Sequence, residues 1–402
     1  MCERGAIVMD WASGRGRVEG MDADVVRAVS ELTSRWARTL PAENTVVAGL
    51  GVWPLLALLA TGADEPGRAE LAEAAGVDPA SAATDAVRLV EAIEASDDLH
   101  AALGVWVDEQ LKLAETFDSV MPAPLVGTLT GNPSVDKPKL DAWAAEHTDD
   151  LIRSMPVDLD AGVELLLASA ILLRTKWVRP FTEQVRRVPD GPWAGSWHWL
   201  ERSDPDLESV RRYEDLTVVT VRGDADVDVL LGIGRGDVLP DLLAAHPDGG
   251  LSGAELIEAG EVGAEVAPGV RIGQTTSSRP EVKLSVPSFS IDVEHDLLQL
   301  RDLFGLTTVS SDPGARGHFS ALSPTPLRID QAKQRVLARF FATGFEAAAV
   351  TAMAMTRAAM ITRQERRLEV TFDRPFAFVA VLRESRLPIV AGRVELPTEP
   401  GE

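Results

Sequence analysis

The sequence predicts an α+β fold organised as one domain, and three observations carry that reading. Helical and strand-type patterns alternate irregularly from end to end, without an internal repeat. No Pro/Ser-rich or charged linker divides the 402 residues, although chains beyond ~250–300 residues usually split into separate cores. One run, Glu164–Trp177, is almost continuously apolar, as a central strand covered on both faces must be.

Taken in order, Asp22 or Asp24 caps a first helix whose positions Val25, Val29, Leu32, Trp36 and Leu40 form one apolar stripe, and Pro41 ends it. Asn44–Leu59 is apolar all round and is expected to cross the interior. Because Pro54 fits best in a first turn, the helix there is expected to start near Trp53. Residues 67–75 and 84–95 read as amphipathic helices, Ala101–Val107 as a strand and Lys139–Ile152 as a helix. Val185–Glu214, with Trp193, Trp197 and Trp199, has no clear pattern. Leu216–Val221 and Val227–Ile233 read as neighbouring strands around a turn at Gly223-Asp224. Leu239–Ala245 and Gly253–Ala259 are short helices or turns, Val282–Ile291 is one strand, and Asp296–Leu303 is a helix capped by Gly305. Gln334–Ala342, Leu368–Phe372, Phe376–Leu382 and Ile389–Leu396 close the chain as strands.

Charge and cysteine content narrow the partners. The formal charge is −23, which repels phosphate backbones and argues against nucleic acid while leaving basic proteins open. Cys2 is the single cysteine, so no intramolecular disulfide forms. The first twenty residues lack the apolar run of ~7–15 residues that a secretory signal needs, and no apolar run approaches the ~20 residues of a membrane span. A monomer without membrane contact is expected, cytoplasmic or exported by a non-standard route. Residues 1–22 are expected to be a disordered extension ahead of a domain at 23–402. Arginine greatly outnumbers lysine, and with the high alanine content this points to a GC-rich bacterial genome.

Each constellation that could carry chemistry falls short. Asp224, Asp226 and Asp228 begin like a calcium loop, but Val229 stands where the loop needs glycine and Arg235 where it needs a bidentate Glu. The six histidines have no metal-ligand spacing, and neither metal nor cofactor is expected. Gly250-Leu251-Ser252-Gly253 lacks the last glycine of a nucleophile elbow. Ser134 and Lys137 have the spacing of a Ser-x-x-Lys pair, but Pro138 is expected to push Lys137 out of helical geometry. No enzyme is expected.

The unusual stretch is Phe341–Phe376. Residues 345–356 contain one charge, Glu346, and no proline, and they suit two structures. Ala347, Ala348 and Ala349 favour a helix. At period two, Phe345, Ala347, Ala349, Thr351, Met353 and Met355 share an uncharged face that a sheet could bury, with Val350 on the other face. A segment that satisfies both patterns is a candidate for switching. The Arg-rich patch that follows (Arg357, Arg363, Arg366, Arg367) is expected to be exposed to proteases.

This stretch resembles the reactive-centre loop and hinge of the serpins, and other motifs agree in order. Glu164–Phe181, ending Trp177-x-x-Pro180-Phe181, resembles the family's central strand and turn. Asn44–Leu71 resembles its buried helix and the helix after it. Val286, Pro287, Phe289 and Ile291 match its Val-Pro-x-Phe-x-Ile strand, and Phe304-Gly305-Leu306, His318-Phe319-Ser320, Phe372–Phe376 and Gly392-Arg393-Val394 follow in place. The resemblance covers roughly residues 23 to 397.

The resemblance implies three β-sheets with a surrounding helical layer, an exposed loop at about 343–367, and no catalytic residues. It implies a suicide-substrate inhibitor of serine, sometimes cysteine, proteases, whose cut loop inserts as a new strand and traps the acyl-enzyme. The family's spacing from Gly344 places the reactive bond at Ala358–Ala359, hence an elastase- or subtilisin-like target. A register shorter by one places it after Arg357 and implies a trypsin-like target, and a longer one uses Met360. The hinge is Gly344, Phe345, Glu346, Ala347, Ala348, Ala349, Val350 and Thr351. From Gly344 to position 358 an extended strand spans ~46 Å, a protein-sized displacement. Trp177 would mark where the loop enters, with Ser169 and Gln334 in the region where the sheet opens. This chain departs from the family at Ala342, Phe345, Ala48-Gly49, Ser169 and Gln334. The bulk of Phe345 is expected to cost strain on entry, and Ser169 and Gln334 are expected to pair. The alternative is a non-inhibitory binding or scaffold protein whose loop is merely cleaved.

Overall fold

The computed structural model describes residues 22–94, 99–160, 162–191, 193–345 and 364–397. Residues 1–21 of the expected extension lie outside them, as do the loop positions Glu346, Ala347, Ala348, Ala349, Val350, Thr351, Arg357, Ala358 and Ala359.

Helix α1 (Ala23–Ala37) is capped by the Asp22 carboxylate, which accepts from the Asp24 N–H at 2.9 Å, and it buries Val25, Val29, Leu32 and Trp36 as expected. Strand β1 (Thr45–Val47) leads into α2 (Gly49–Gly62), which starts four residues before the expected Trp53 and carries Pro54 in its interior. Every residue of α2 except Thr61 is buried. Burial on all sides outweighs the one hydrogen bond that proline removes, so propensity alone misplaces the start. Next come α3 (Gly67–Ala75), α4 (Ala82–Glu94), β2 (Leu99–Asp108), α5 (Phe117–Val120), β3 (Val126–Leu129) and α6 (Pro133–His147). α6 begins six residues earlier than Lys139 because the Asn132 side chain accepts from the Ser134 N–H and Pro133 occupies its first position. Lys137 is therefore helical, contrary to expectation. Its ammonium pairs with Asp141 at 2.6 Å and Ser154 at 3.0 Å, not with Ser134.

The central run splits into β4 (Leu165–Leu173), buried at every position, and β5 (Thr175–Lys176). The unpatterned tryptophan-rich stretch is also strand: β6 (Thr182–Val188), β7 (Gly195–Asp204) and β8 (Val210–Tyr213). β6 ends its sheet and is exposed along nearly its whole length, so no alternation marks it in sequence. After β9 (Leu216–Arg222), β10 (Val227–Gly234), α7 (Leu239–Ala244), β11 (Leu251–Ser252) and α8 (Gly253–Ala259) comes an unexpected hairpin of β12 (Glu265–Ala267) and β13 (Val270–Thr275). The single strand expected at 282–291 is two, β14 (Glu281–Pro287) and β15 (Phe289–Asp296), which break at Ser288 and join different sheets. Short α9 (Arg301–Phe304) ends on Gly305 at φ 65, the left-handed cap that glycine allows. The chain closes with β16 (Gln331–Phe340), β17 (Gly344–Phe345), β18 (Glu365–Thr371), β19 (Phe376–Leu382) and β20 (Pro388–Val394). β18 starts before the expected Leu368, so Arg366 and Arg367 are strand residues and not loop.

Three sheets result. The main sheet runs β3-β2-β4-β16, with β15 on the far side of β16 and β17 and β5 at one end. A second sheet is ordered β1-β20-β19-β10-β9-β8-β11, and a third β12-β13-β18-β14-β7-β6. α2 lies in the large core beside the main sheet, and α6 covers the sheet's other face through Leu140 and Ala144. Among the described residues, no helix is long and apolar enough to cross a membrane.

Candidate functional site

The site is a seam in the main sheet. β4 and β16 run parallel and pair in register from Leu166 with Gln331 to Leu172 with Leu337. Parallel pairing is the less stable kind per residue, and both strands continue past the last pair without meeting. Into the resulting cleft passes β17. Phe345 pairs antiparallel with Phe340 of β16 on one side and with Thr175 of β5 on the other, and Gly344 pairs with Lys176.

Gly344 is dictated by close approach, because a Cβ there would lie 2.3 Å from the Thr175 carbonyl oxygen. Trp177 fixes the entry. Its backbone N–H donates to the Thr343 carbonyl at 3.0 Å, and its indole Nε1–H donates to the Phe341 carbonyl at 2.8 Å. The Phe181 N–H holds the Ala342 carbonyl at 2.8 Å. Phe345 is fully buried, its ring 6.2 Å from that of Phe378, and Phe340 packs between Trp177 and Phe289 with centroids 4.8 and 5.3 Å away. Phe345 is thus buried against Phe378 and paired with Phe340. Arg202 stacks on Phe181 at 4.6 Å, and its burial pulls the guanidinium down to about 10. Nothing in the local sequence announces that contact.

Further along the seam, Ser169 and Gln334 are opposite one another in register and 1% and 0% exposed. The Gln334 Nε2 group donates to Ser169 Oγ at 3.0 Å and to the Ala48 carbonyl at 2.9 Å, while Oε1 accepts from the Ala48 N–H at 3.2 Å. One amide thus ties β16 to β4 and to the start of α2. Gly51 makes room for this, since a Cβ there would lie 2.7 Å from Ser169 Oγ. The structure brings Ser169 and Gln334 together, and places Trp177, Gly344 and Phe345 at the end of the same seam.

On the opposite face, residues 154–158 bind across β16. The Arg335 guanidinium donates to the Ser154 carbonyl at 2.8 Å and to Asp292, and the Asp158 N–H donates to Gln331 Oε1 at 3.0 Å. The hydrogen bonds to Asp292 raise the Arg335 pKa further above its ordinary value. These partners are up to 181 residues apart, and only the folded sheet brings them together. Beside Gln334 in β15, His295 donates through Nε2 to the Val46 carbonyl at 2.7 Å and packs edge-on to Trp36 at 5.0 Å. Burial holds this imidazole below its usual pKa.

This arrangement pairs β4 with β16 over seven residues and leaves β17 between β16 and β5 at one end. The family model described as Serpin (serine protease inhibitor) matches residues 27–188 and 269–397. A putative serpin-Z6C of Oryza sativa subsp. japonica is 24% identical over 422 residues, covering 97% of this chain and 100% of that protein. The alpha-1-antiproteinase S of Cavia porcellus is 24% identical over 304 residues, covering 74% of this chain and 68% of that protein. Among solved structures, Serpin48 of the insect Tenebrio molitor superposes with a TM-score of 0.69 at 17% identity, covering 94% of this chain and 99% of that one.

Proposed function

The chain belongs to the serpin family, whose members are generally protease inhibitors and not enzymes, and from that premise we propose that it is a suicide-substrate inhibitor of serine proteases. A protease attacks the loop at Ala358–Ala359 and forms an acyl-enzyme. The freed loop then enters the seam between β4 and β16 and carries the acylated protease with it before deacylation is complete. The observation that carries this reading is the position of Gly344 and Phe345, already paired on both edges at the mouth of the seam.

The register of those pairs predicts how the rest would seat. Continued without a bulge, it puts Thr351 between Ser169 and Gln334, on the face that Phe345 and Gln334 share. The threonine hydroxyl can then bond to the side chains it separates, so their polar groups are not left unpaired. Phe345, Ala347, Ala349, Thr351, Met353 and Met355 would all face the α2 side. Insertion exchanges one parallel ladder for two antiparallel ones and buries that apolar face, and these gains drive it. The small residues at the reactive bond favour an elastase- or subtilisin-like protease. A bacterial source is our reading of composition alone.

The test is incubation with an elastase, a subtilisin, a trypsin and a chymotrypsin, followed by a denaturing gel and mass spectrometry of the released C-terminal peptide. A complex that survives denaturant, with a peptide beginning at Ala359, is expected. A peptide beginning at Ala358 would move the bond to Arg357 and the target to a trypsin-like protease. Clean cleavage without complex or gain in heat stability would replace inhibition with a binding role in which the loop is merely cut.

A further inference from the structure

β18 carries the loop's far end, and its surroundings are the unexpected feature of this fold. In the order β18-β14-β7-β6 it would be an edge strand, but the β12–β13 hairpin adds two strands beyond it. β18 now pairs with β13 from Glu365 with Thr275 to Val370 with Val270, and with β14 from Arg367 with Glu281 to Thr371 with Ser285. The hairpin is itself anchored. The Thr371 N–H donates to the Gly269 carbonyl at 2.9 Å, and Thr217 Oγ1 on the second sheet donates to the Pro268 carbonyl at 2.8 Å. Arg366 Nη1 donates to the Ile257 and Gly260 carbonyls at the end of α8, at 2.9 and 3.1 Å. Val270, Ile272, Leu368 and Val370 are at most 1% exposed.

The third sheet abuts the hinge end of the seam. Phe181, which holds Ala342, leads directly into β6, and Pro287 of β14 leads through Ser288 to Phe289, which faces Phe340. The loop is therefore tethered at both ends, in the seam at Gly344 and in the third sheet at Glu365, the end of β18 away from Pro287. Seated as far as position 358, it would end ~46 Å from Gly344, whereas the seven residues from there to Glu365 reach at most ~25 Å. Wherever Glu365 lies more than ~25 Å from the seated position 358, an uncut loop seats fully only if β18 leaves its sheet, its seven residues supplying the missing length. A cut loop has no such tether.

We propose that the β12–β13 hairpin is a clamp on β18 that confines complete loop insertion to the cleaved protein, and so preserves the uncut, active state. This rests on the insertion reading above. With the hairpin in place β18 must break ladders on two edges and free Arg366 from α8; without it, on one.

The test uses the full chain, a variant in which residues 262–276 are replaced by a short Gly/Ser linker, and the milder Arg366→Ala and Ile272→Ala. Each is incubated uncut below its unfolding temperature, with intact mass verified, and the heat-resistant fraction is followed with time. Each is also cut in the loop as a reference. The full chain is expected to stay heat-labile while the deletion variant becomes heat-resistant at least about tenfold faster, a change equivalent to ~1.4 kcal/mol, little more than one net hydrogen bond. Arg366→Ala, which frees β18 from α8 with the hairpin in place, should lie between them, and Ile272→Ala, which loosens β13 where it pairs with Leu368, carries the hairpin test if the deletion variant does not fold. Equal rates in all of them, with the cut forms heat-resistant, overturn the clamp but leave insertion standing. Cut forms that stay heat-labile overturn insertion and the clamp with it.

Discussion

Ser169→Ala probes the lock on the seam with the least disturbance. In the structure Gln334 spends one amide proton on Ser169 Oγ and the other on the Ala48 carbonyl. Removing the hydroxyl leaves Gln334 held to Ala48 by both ends of its amide, so the side chain keeps its place. The loss is one neutral hydrogen bond, about 1 kcal/mol net, rising toward ~2 kcal/mol because the orphaned amide proton stays buried. An incoming strand must separate the pair in any case. The cost therefore falls on the closed state and is largely absent once the seam has opened, and the barrier drops by most of it. Loop insertion should accelerate roughly 5- to 30-fold. The native melting temperature should fall by about 2–4 °C per kcal/mol at most. Both quantities come from purified protein, by stopped-flow inhibition kinetics against whichever protease forms the complex and by thermal denaturation of cut and uncut samples. An unchanged insertion rate together with an unchanged native melting temperature would remove Ser169 and Gln334 from control of the sheet.

Other positions make separate demands. Gly344→Val would push a side chain into the Thr175 carbonyl, where a Cβ alone lies 2.3 Å away; the hinge should leave its cleft, and a protease should then cut without forming a complex. Retention of full inhibitory yield would refute that. Phe345→Ala empties a fully buried ring site, at a local cost of ~3–5 kcal/mol, and should speed hydrogen exchange of the Phe341 N–H, which donates to the Gly344 carbonyl at 2.9 Å, with a much smaller effect on global unfolding. Unaltered exchange there would show that the ring does not hold the hinge. For His295 the sign follows from burial, which lowers its native pKa. Its contribution to stability is complete above the unfolded value of about 6.5 and is lost progressively as pH falls below that toward the lowered native value. His295→Gln should flatten melting temperature against pH in that window, and an equally steep profile in the variant would assign the effect elsewhere.

Much of the architecture is legible in the sequence where one physical requirement acts alone. The stripe of α1, the uniformly apolar β4 and the glycine cap at Gly305 each follow from local pattern, and the period-two face of residues 345–356 marks a segment that could become a strand. The pairing of Ser169 with Gln334 is expected from the family resemblance, which puts both in one region of the sheet, and a hydrogen bond joins them at 3.0 Å. Other features need the assembled core. α2 keeps Pro54 in its interior because burial on every side outweighs one absent hydrogen bond, and no local rule ranks those two energies. β6 is strand because β7 supplies its ladder, although its own side chains face solvent. Gly344 is required by the Thr175 carbonyl and Gly51 by the Ser169 hydroxyl, contacts between residues more than a hundred positions apart. The sequence by itself thus determined, through composition and period, which local runs become helix or buried strand. Only the tertiary structure decided where β17 pairs, that Gln334 bonds to Ser169 and Ala48, and that β18 is held on both edges, because hydrogen-bond ladders and close backbone approach are properties of segments brought together from distant parts of the chain.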